Sequence, residues 1–414
     1  MADQFVLQQS IEDNQHDFLF TKKQWIATTD SNSGNYNQGQ VIFDLSNIAN
    51  SGQYINFLES YIHIPLVHSV QFTGDTNAAY LLKSELMYKN NLMASLKNGS
   101  YQIIHSLNVK LGNNEIVSIV PFQNLKINYD ILTKWSDEDV KKCGPSLHFA
   151  KETGDTASFS VGIGSNNNKV HGANADRTLL YSKYVPDTVY GCLGNQVNTG
   201  RLERMLRTNV AFDDAQISPY MTFAKAQLHG KDCCEIKTTT PATLTNPGVN
   251  VLNFYINATI KLTDIHDYFN NCPLMKNGWY QLVFNMNVNS VVSYYLNGTG
   301  GTSVYSVTGA TPTIPFQLSQ GLGAINQATS GTVKSSLTIC KPTEAFTTGS
   351  TNVFTSCKLY ACLMTFAPAK EIEYLQNPVR NIKFMDTFCQ NGGNLSGVAP
   401  EGNIQVSLSG QYVF

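Results

Sequence analysis

The chain is short of charge. Asp, Glu, Lys and Arg make up 14% of its 414 residues, against roughly 25% in ordinary soluble domains. Lys and Arg number 28 and Asp and Glu 30, so there is no positive excess to neutralise a nucleic-acid backbone over the whole surface. The first 38 residues hold one adjacent basic pair, Lys22-Lys23, which excludes a basic nucleic-acid-binding tail there. Long apolar runs are missing too: no stretch approaches the ~18 apolar residues of a membrane-spanning helix. The opening "MADQFVLQQSIEDNQHDF" has no basic region followed by an apolar one, so the expectation is a protein made in a cell interior and not secreted.

Catalytic signatures are also absent. No Walker loop, G-x-S-x-G elbow or HExxH spacing occurs. "GLGAINQ" lacks the third glycine of a dinucleotide loop, and no parallel βαβ pattern surrounds it. Acids are too sparse to single out a glycosidase-like carboxylate pair. Low-complexity tracts and short repeats are missing as well.

What replaces the charge is Asn, Ser, Thr, Gly and Tyr, beside an ordinary hydrophobic share of 42%. Such a surface is polar but weakly charged, and amides cost less to desolvate than ions. It suits burial against neighbouring copies, or a secreted β protein. A chain of this length can bury about three quarters of its unfolded surface and needs no disulfide or metal to hold a core. The nine cysteines are odd in number, and Cys340, Cys357 and Cys362 sit in apolar strand patterns, so reduced, buried thiols are expected. The glycosylation-type acceptors Asn98, Asn257, Asn297 and Asn394 read as chance in an Asn-rich chain.

The dominant period is two. In "VLNFYINATIKL" the set Leu252, Phe254, Ile256, Ala258, Ile260 and Leu262 alternates with polar residues, and "WYQLVFNMNV" repeats this with Tyr280, Leu282, Phe284, Met286 and Val288. "QVIFDL", "YINFLESYIHIPL" and "IIHSLNVKL" extend the series, while "CKLYACLMTF" is apolar on both faces and reads as a central strand. Mostly antiparallel sheets with one buried face follow. Three short helices are expected: 136–144, with Ser136 as N-cap and Gly144 beyond its end; 200–208; and 263–271, stopped by Pro273. Long loops rich in Gly, Ser, Thr and Asn cover 153–176, 297–335 and 390–403.

Three clusters invite a chemical reading. In 263–271, Thr263 or Asp264 can cap a short helix with Asp267 in its first turn, leaving His266 exposed beside them. Capping explains these residues without a metal or catalysis. "HGKDCCEIK" gathers His229, Asp232, Cys233, Cys234 and Glu235, but adjacent cysteines on a strand point to opposite faces and cannot share a zinc. Arg201, Arg204 and Arg207 line one face of the second helix; a solvated or subunit-contacting face accounts for them better than a phosphate site. No catalytic, cofactor-binding or metal-binding residue is assigned, no cofactor is expected, and the protein is expected not to be an enzyme. The 20 Tyr and 21 Phe serve cores and interfaces more often than sugar platforms.

A strand, then "LTDIHDYFNNCPLM", then "WYQLVFNMN" resembles a segment of viral major capsid proteins of the double jelly-roll lineage. That lineage includes tailless membrane-containing phages, virophages, polinton-like viruses and the adenovirus hexon. "NPVRNIKFMDTF" at 377–388 resembles a segment that often leads toward the second barrel. The likeness is one of pattern over a minority of the chain. It implies an all-β fold of antiparallel jelly-roll sandwiches, here a double jelly roll with a few short helices and long loops. Weak periodicity marks 1–38 as an N-terminal arm, and the turn-rich "TTTPATLTNPGVN" offers a joint near 245 between a first barrel at 39–245 and a second at 246–414, with one heavily decorated barrel at 39–414 as the alternative. The chain runs out at "IQVSLSGQYVF", so a full second barrel after 388 is not expected to fit. The missing basic arm departs from small single-barrel capsids and favours two barrels.

The implied function is a capsid subunit of an icosahedral virion, made in the host cell, assembling with itself into trimeric capsomers. Further partners would be other capsid proteins, such as a vertex protein, and a host receptor. The competing readings are a viral spike, fibre or carbohydrate-binding β-sandwich and, third, a jelly-roll hydrolase.

Overall fold

A computed structural model of the chain describes residues 19–36, 38–74, 92–118, 121–151, 157–159, 195–197, 234–238, 250–299, 302–308, 314–320, 330–340, 356–377 and 379–386. It is all-β and antiparallel, with a few short helices. The first half holds β1 (Phe20–Thr29), β2 (Gln40–Asp44), α1 (Ser46–Ala49), β3 (Tyr54–Gly74), β4 (Leu92–Leu96), β5 (Ile104–Leu111), β6 (Asn114–Val117), α2 (Gln123–Lys134) and α3 (Asp137–Cys143). The short strands β7 (Ala157–Phe159), β8 (Asn195–Val197) and β9 (Cys234–Thr238) follow. Then come β10 (Asn250–Lys261), α4 (Leu262–Ile265), α5 (Tyr268–Asn271), β11 (Met275–Lys276), β12 (Tyr280–Met286) and β13 (Val291–Thr299). The last elements are β14 (Thr302–Thr308), β15 (Phe316–Gln320), β16 (Ser330–Ile339), β17 (Lys358–Phe366) and α6 (Pro368–Leu375).

Two sheets face each other. In the first, β17 lies between β1 and β3, and β10 pairs with β3. Both β10 and β17 use Tyr61 to His63 of β3, so they flank it on opposite sides. The second sheet runs β2-β12-β5-β6. The eight strands β1, β2, β3, β5, β6, β10, β12 and β17 switch sheets in the order first, second, first, second, second, first, second, first. That alternation is two Greek keys wound into a jelly roll. β13, β14 and β16 extend the first sheet beyond β3's far end, in the connection between β12 and β17.

The expected boundary at 245 therefore needs correction. β2 and β5 pair with β12, and β3 pairs with β10, β16 and β17, so strands from both halves of the chain share each sheet. Period-two spacing says which side chains go inward but is silent on which strands pair. The 1–38 arm needs the same correction: Phe20–Thr29 is an edge strand of the first sheet, paired along its length with β17.

The core lies between the sheets. β12 buries Tyr280, Leu282, Phe284 and Met286 in strict alternation, as its spacing predicts, and β3 and β10 answer with Ile62, Ile64, Leu66, Ile256, Ala258 and Ile260. Phe57 of β3 meets the Tyr280 ring edge-on at 4.9 Å, which ties one sheet to the other. β17 is buried almost throughout because β1 and β3 flank it. The exposed edge of β2 is closed by Asn32, whose amide accepts from the Ile42 N–H at 2.9 Å and donates to the Gln40 carbonyl at 2.7 Å. It thereby mimics a missing strand partner.

α3 forms as its sequence predicts. Ser136 Oγ accepts from the Asp139 N–H, and Asp139 accepts from the Ser136 N–H, a reciprocal capping box. Gly144 does not adopt the left-handed turn expected after the helix; its φ is -54°. Its lack of a side chain matters for proximity instead, since a Cβ there would press on the Val140 carbonyl.

Candidate functional site

The corner that follows β10 gathers a cluster of polar side chains around a buried apolar base. Its core side is dictated by burial. Leu262, Ile265, Tyr268 and Phe269 are all fully buried. On one continuous helix Leu262, Ile265 and Phe269 would share a face, with Tyr268 at its margin. The chain instead makes two separate turns, α4 and α5, with His266 extended between them (φ -150°, ψ 141°).

That break overturns the expected capped helix. Lys261 occupies the N-cap of α4, and neither Thr263 nor Asp264 caps it. Asp267 precedes α5 without capping it; its carboxylate accepts from the Asn271 amide at 3.0 Å and from the Met385 N–H at 2.9 Å. His266 is buried, not exposed, at 4%. Its Nδ1 accepts from the Tyr268 N–H at 3.1 Å, and its Nε2 lies 3.3 Å from Asp386 Oδ1. With Nδ1 accepting, the proton sits on Nε2 and is donated to Asp386. Phe384 packs its ring on both His266 and Tyr268. Asp267, His266 and Tyr268 thus hold the segment 379–386 against the corner.

The cysteine before the proline is enclosed. Cys272 Sγ lies 3.6 Å from the Tyr268 hydroxyl and 3.8 Å from that of Tyr280, and the two hydroxyls are 3.1 Å apart. Burial pushes the Cys272 thiol and both phenols upward. A thiol held protonated in this way is a weak nucleophile until it loses its proton.

Beside the corner, α2 closes a recess of about 220 Å³, lined by Lys126, Asp130, Lys134, Asp264, His266 and Asp267 among others. Gln123 pins α2 there, its amide donating to the Ile265 carbonyl at 2.7 Å. Asp130 is bracketed by Lys126 at 2.6 Å and Lys134 at 3.1 Å. Burial works to raise its carboxyl, but hydrogen bonds from the two lysines hold it below the usual carboxylate value. Asp264 behaves oppositely: burial raises it, and Lys261 only partly opposes the shift. The third carboxylate of the recess, Asp267, is committed to Asn271 and Met385. No group of three His, Cys, Asp or Glu among the described residues is placed to hold a metal ion.

The other sequence candidates fall mostly elsewhere. Arg201, Arg204, Arg207, His229, Asp232, Cys233 and the "GLGAINQ" run lie outside the described residues. Cys234 and Glu235 open β9, the strand beside β10. Asn394 is also outside; Asn98 donates its amide to Asn128 Oδ1 at 3.1 Å, whereas Asn257 is exposed on β10. Sequence reasoning missed α2 entirely. Its apolar residues 125, 127, 129 and 131 alternate like a strand, but the Lys126–Asp130–Lys134 spacing is a helix signal that was there to be used.

No family model matches the chain, and no curated protein matches it. Among solved structures the chain is similar to one described as "The 3.5 A resolution structure of the Sputnik virophage by cryo-EM", at 11% identity and a TM-score of 0.29. The alignment covers 85% of this chain and 49% of that one, so the chain spans about half the length of its counterpart. The jelly-roll assignment rests on the strand order itself.

Proposed function

We propose that the chain is a structural subunit of a virus shell, a major capsid protein that associates with copies of itself into capsomers and carries out no catalysis. The observation that carries this reading is an outward apolar row on α2. Leu125, Tyr129 and Leu132 are exposed at 51%, 66% and 49%, at helical i, i+4, i+7 spacing, while Ile127 and Ile131 pack into the core. A helix apolar on both sides calls for a second neighbour. Ile372 and Leu375 of α6 are exposed in the same way. The jelly-roll strand order supports the reading by analogy of fold, and the low charge supports it because uncharged flanks are cheap to desolvate. Sheet pairing across residue 245 favours the alternative division, one decorated barrel over 39–414. Other shell proteins and a host receptor would be further partners.

A second reading, a carbohydrate-binding spike or fibre, draws on one feature of the outer sheet face. Tyr61 and Tyr360 stack at 4.9 Å and 15°, and Trp25, exposed at 46%, lies one row away on that face. Flat exposed rings can seat a sugar.

Size-exclusion chromatography with negative-stain imaging separates the two. Trimers, rings or particles that fall apart in L125D/Y129D, with circular dichroism unchanged, support the shell subunit. A chain that stays monomeric at high concentration and binds glycans until Trp25→Ala is introduced overturns it in favour of the second reading.

A further inference from the structure

β16 and β17 are two halves of one strand line. β16 closes with Thr338 opposite Val67 and Ile339 opposite Leu66; β17 opens with Lys358 opposite His63 and Leu359 opposite Ile62. Both run antiparallel to β3. β16 shares Leu66 to Phe72 of β3 with β10, so it lies on the flank away from β10, as β17 does. Cys340 continues the line by donating its N–H to the Pro65 carbonyl at 2.9 Å. Carrying the β17 register back one residue sets Cys357 opposite Ile64. The two cysteines therefore stand beside neighbouring residues of one strand, although the chain 341–356 runs between them. Neighbouring strand positions advance by only roughly 3.3 Å, so the two residues stand side by side on one flank of β3.

Their thiols are within hydrogen-bonding reach of each other and of the Tyr36 hydroxyl. The surroundings fix the pair in place. Tyr36 donates to Asp30 Oδ1 at 2.9 Å, the Cys357 N–H donates to the Tyr36 hydroxyl at 3.3 Å, and the Asp30 N–H donates to the Cys357 carbonyl at 3.2 Å. Cys340 itself has φ +62°, a left-handed conformation uncommon outside glycine, which turns the chain out of the strand line. Both residues are buried and reduced.

We propose that Cys340 and Cys357 are a redox pair that closes to an intramolecular disulfide by exchange with a low-molecular-weight disulfide, stapling β16 to β17 at the base of 341–356. The Cys340 thiolate attacks one sulfur of the small disulfide; the S–S bond breaks and the first small thiolate leaves with the electron pair. The Cys357 thiol then gives up its proton and attacks the Cys340 sulfur of the mixed disulfide, expelling the second small thiolate. Two protein thiols lose two electrons and two protons, and the reagent becomes two small thiols. The division of labour suits the pair. The hydrogen bond from Cys357 holds the Cys340 thiol below its ordinary pKa, while the same contact, with burial, pushes Cys357 up.

The test uses the full chain, equilibrated with mixtures of reduced and oxidised glutathione, quenched in acid, alkylated after denaturation, and mapped by mass spectrometry. The expected product is a peptide joined through Cys340 and Cys357, two hydrogens lighter, at ratios where Cys143, Cys272 and Cys362 are still fully alkylated. Oxidation is also expected to raise the Tm, reversibly with dithiothreitol, and C340S and C357S should each lose both effects. Wild-type protein in which both cysteines stay alkylated at every ratio overturns the proposal. So does a cross-link from either of them to a different cysteine. The wild-type map decides alone where a variant does not fold.

Discussion

The corner at 262–271 and the junction at Cys340 and Cys357 both interrupt a run of strand, yet they differ in where chemistry is available. At the corner the polar groups lie close together in sequence and are already committed. His266 is divided between Tyr268 and Asp386, Asp267 between Asn271 and Met385, and Cys272 faces two buried hydroxyls. At the junction two sulfurs from different strands meet beside a tyrosine–aspartate hydrogen bond that comes from a third place in the chain. Density of reactive residue types along the sequence is therefore a poor guide. Convergence of residues from separate strands is what brings two groups that can react with each other side by side.

Four measurements would sharpen or break this contrast. The largest effect belongs to the corner's apolar side: Phe269→Ala is expected to cost about 3–5 kcal/mol, because its ring is fully buried against Phe57. Urea denaturation reads this directly, and a loss under about 1 kcal/mol would mean the corner is not part of the core. Next, closing the junction should add about 3 kcal/mol, the chain-entropy value for a loop of similar length; oxidised and reduced samples compared in urea give the difference, and a destabilised oxidised form would point to strain at the split strand.

Third, His266→Ala leaves the Tyr268 N–H without its acceptor and is expected to cost about 1–3 kcal/mol. His266→Asn, whose carbonyl can replace Nδ1, should recover part of it. Equal losses in both would mean ring packing on Phe384, rather than the hydrogen bond, is what counts.

The smallest effect lies in the recess and is one of sign. Asp130 has a lowered carboxyl, so its contribution is present above the ordinary carboxylate pKa and fades as pH falls through the folded value. Asp264 has a raised one, so its favourable contribution exists at low pH and is lost as pH rises through its folded value. At pH 7 Asp130→Asn should therefore destabilise, by about 0.2–1 kcal/mol for such a partly exposed pair, and Asp264→Asn should stabilise. Both differences should shrink toward zero well below pH 4. Stability curves of the same sign would break the assignment.

Much of the fold was legible from local spacing. β12 could be read residue by residue, the continuous apolar pattern of β17 correctly marked a central strand, and Ser136 announced α3 through its cap. The rest failed for identifiable reasons. α2 was hidden because its outward apolar row fills in the gaps of its inward one, giving an alternation that imitates a strand. His266 was expected in solvent on one capped helical turn, whereas the chain makes two turns with His266 extended and buried between them. The boundary at 245 looked like a linker by composition, while hydrogen bonds run across it from β2 to β12 and from β3 to β10.

By itself the amino-acid order determined which side of each strand faces the core, where α3 begins, and that the surface would be polar but poor in charge, since each depends on spacing within a few residues or on composition. Only the tertiary structure decided that β17 completes a line begun by β16, that Cys340 and Cys357 meet there, and that both halves of the chain build each sheet. Those facts depend on contacts between residues hundreds of positions apart, and a pleat of period two is compatible with any partner.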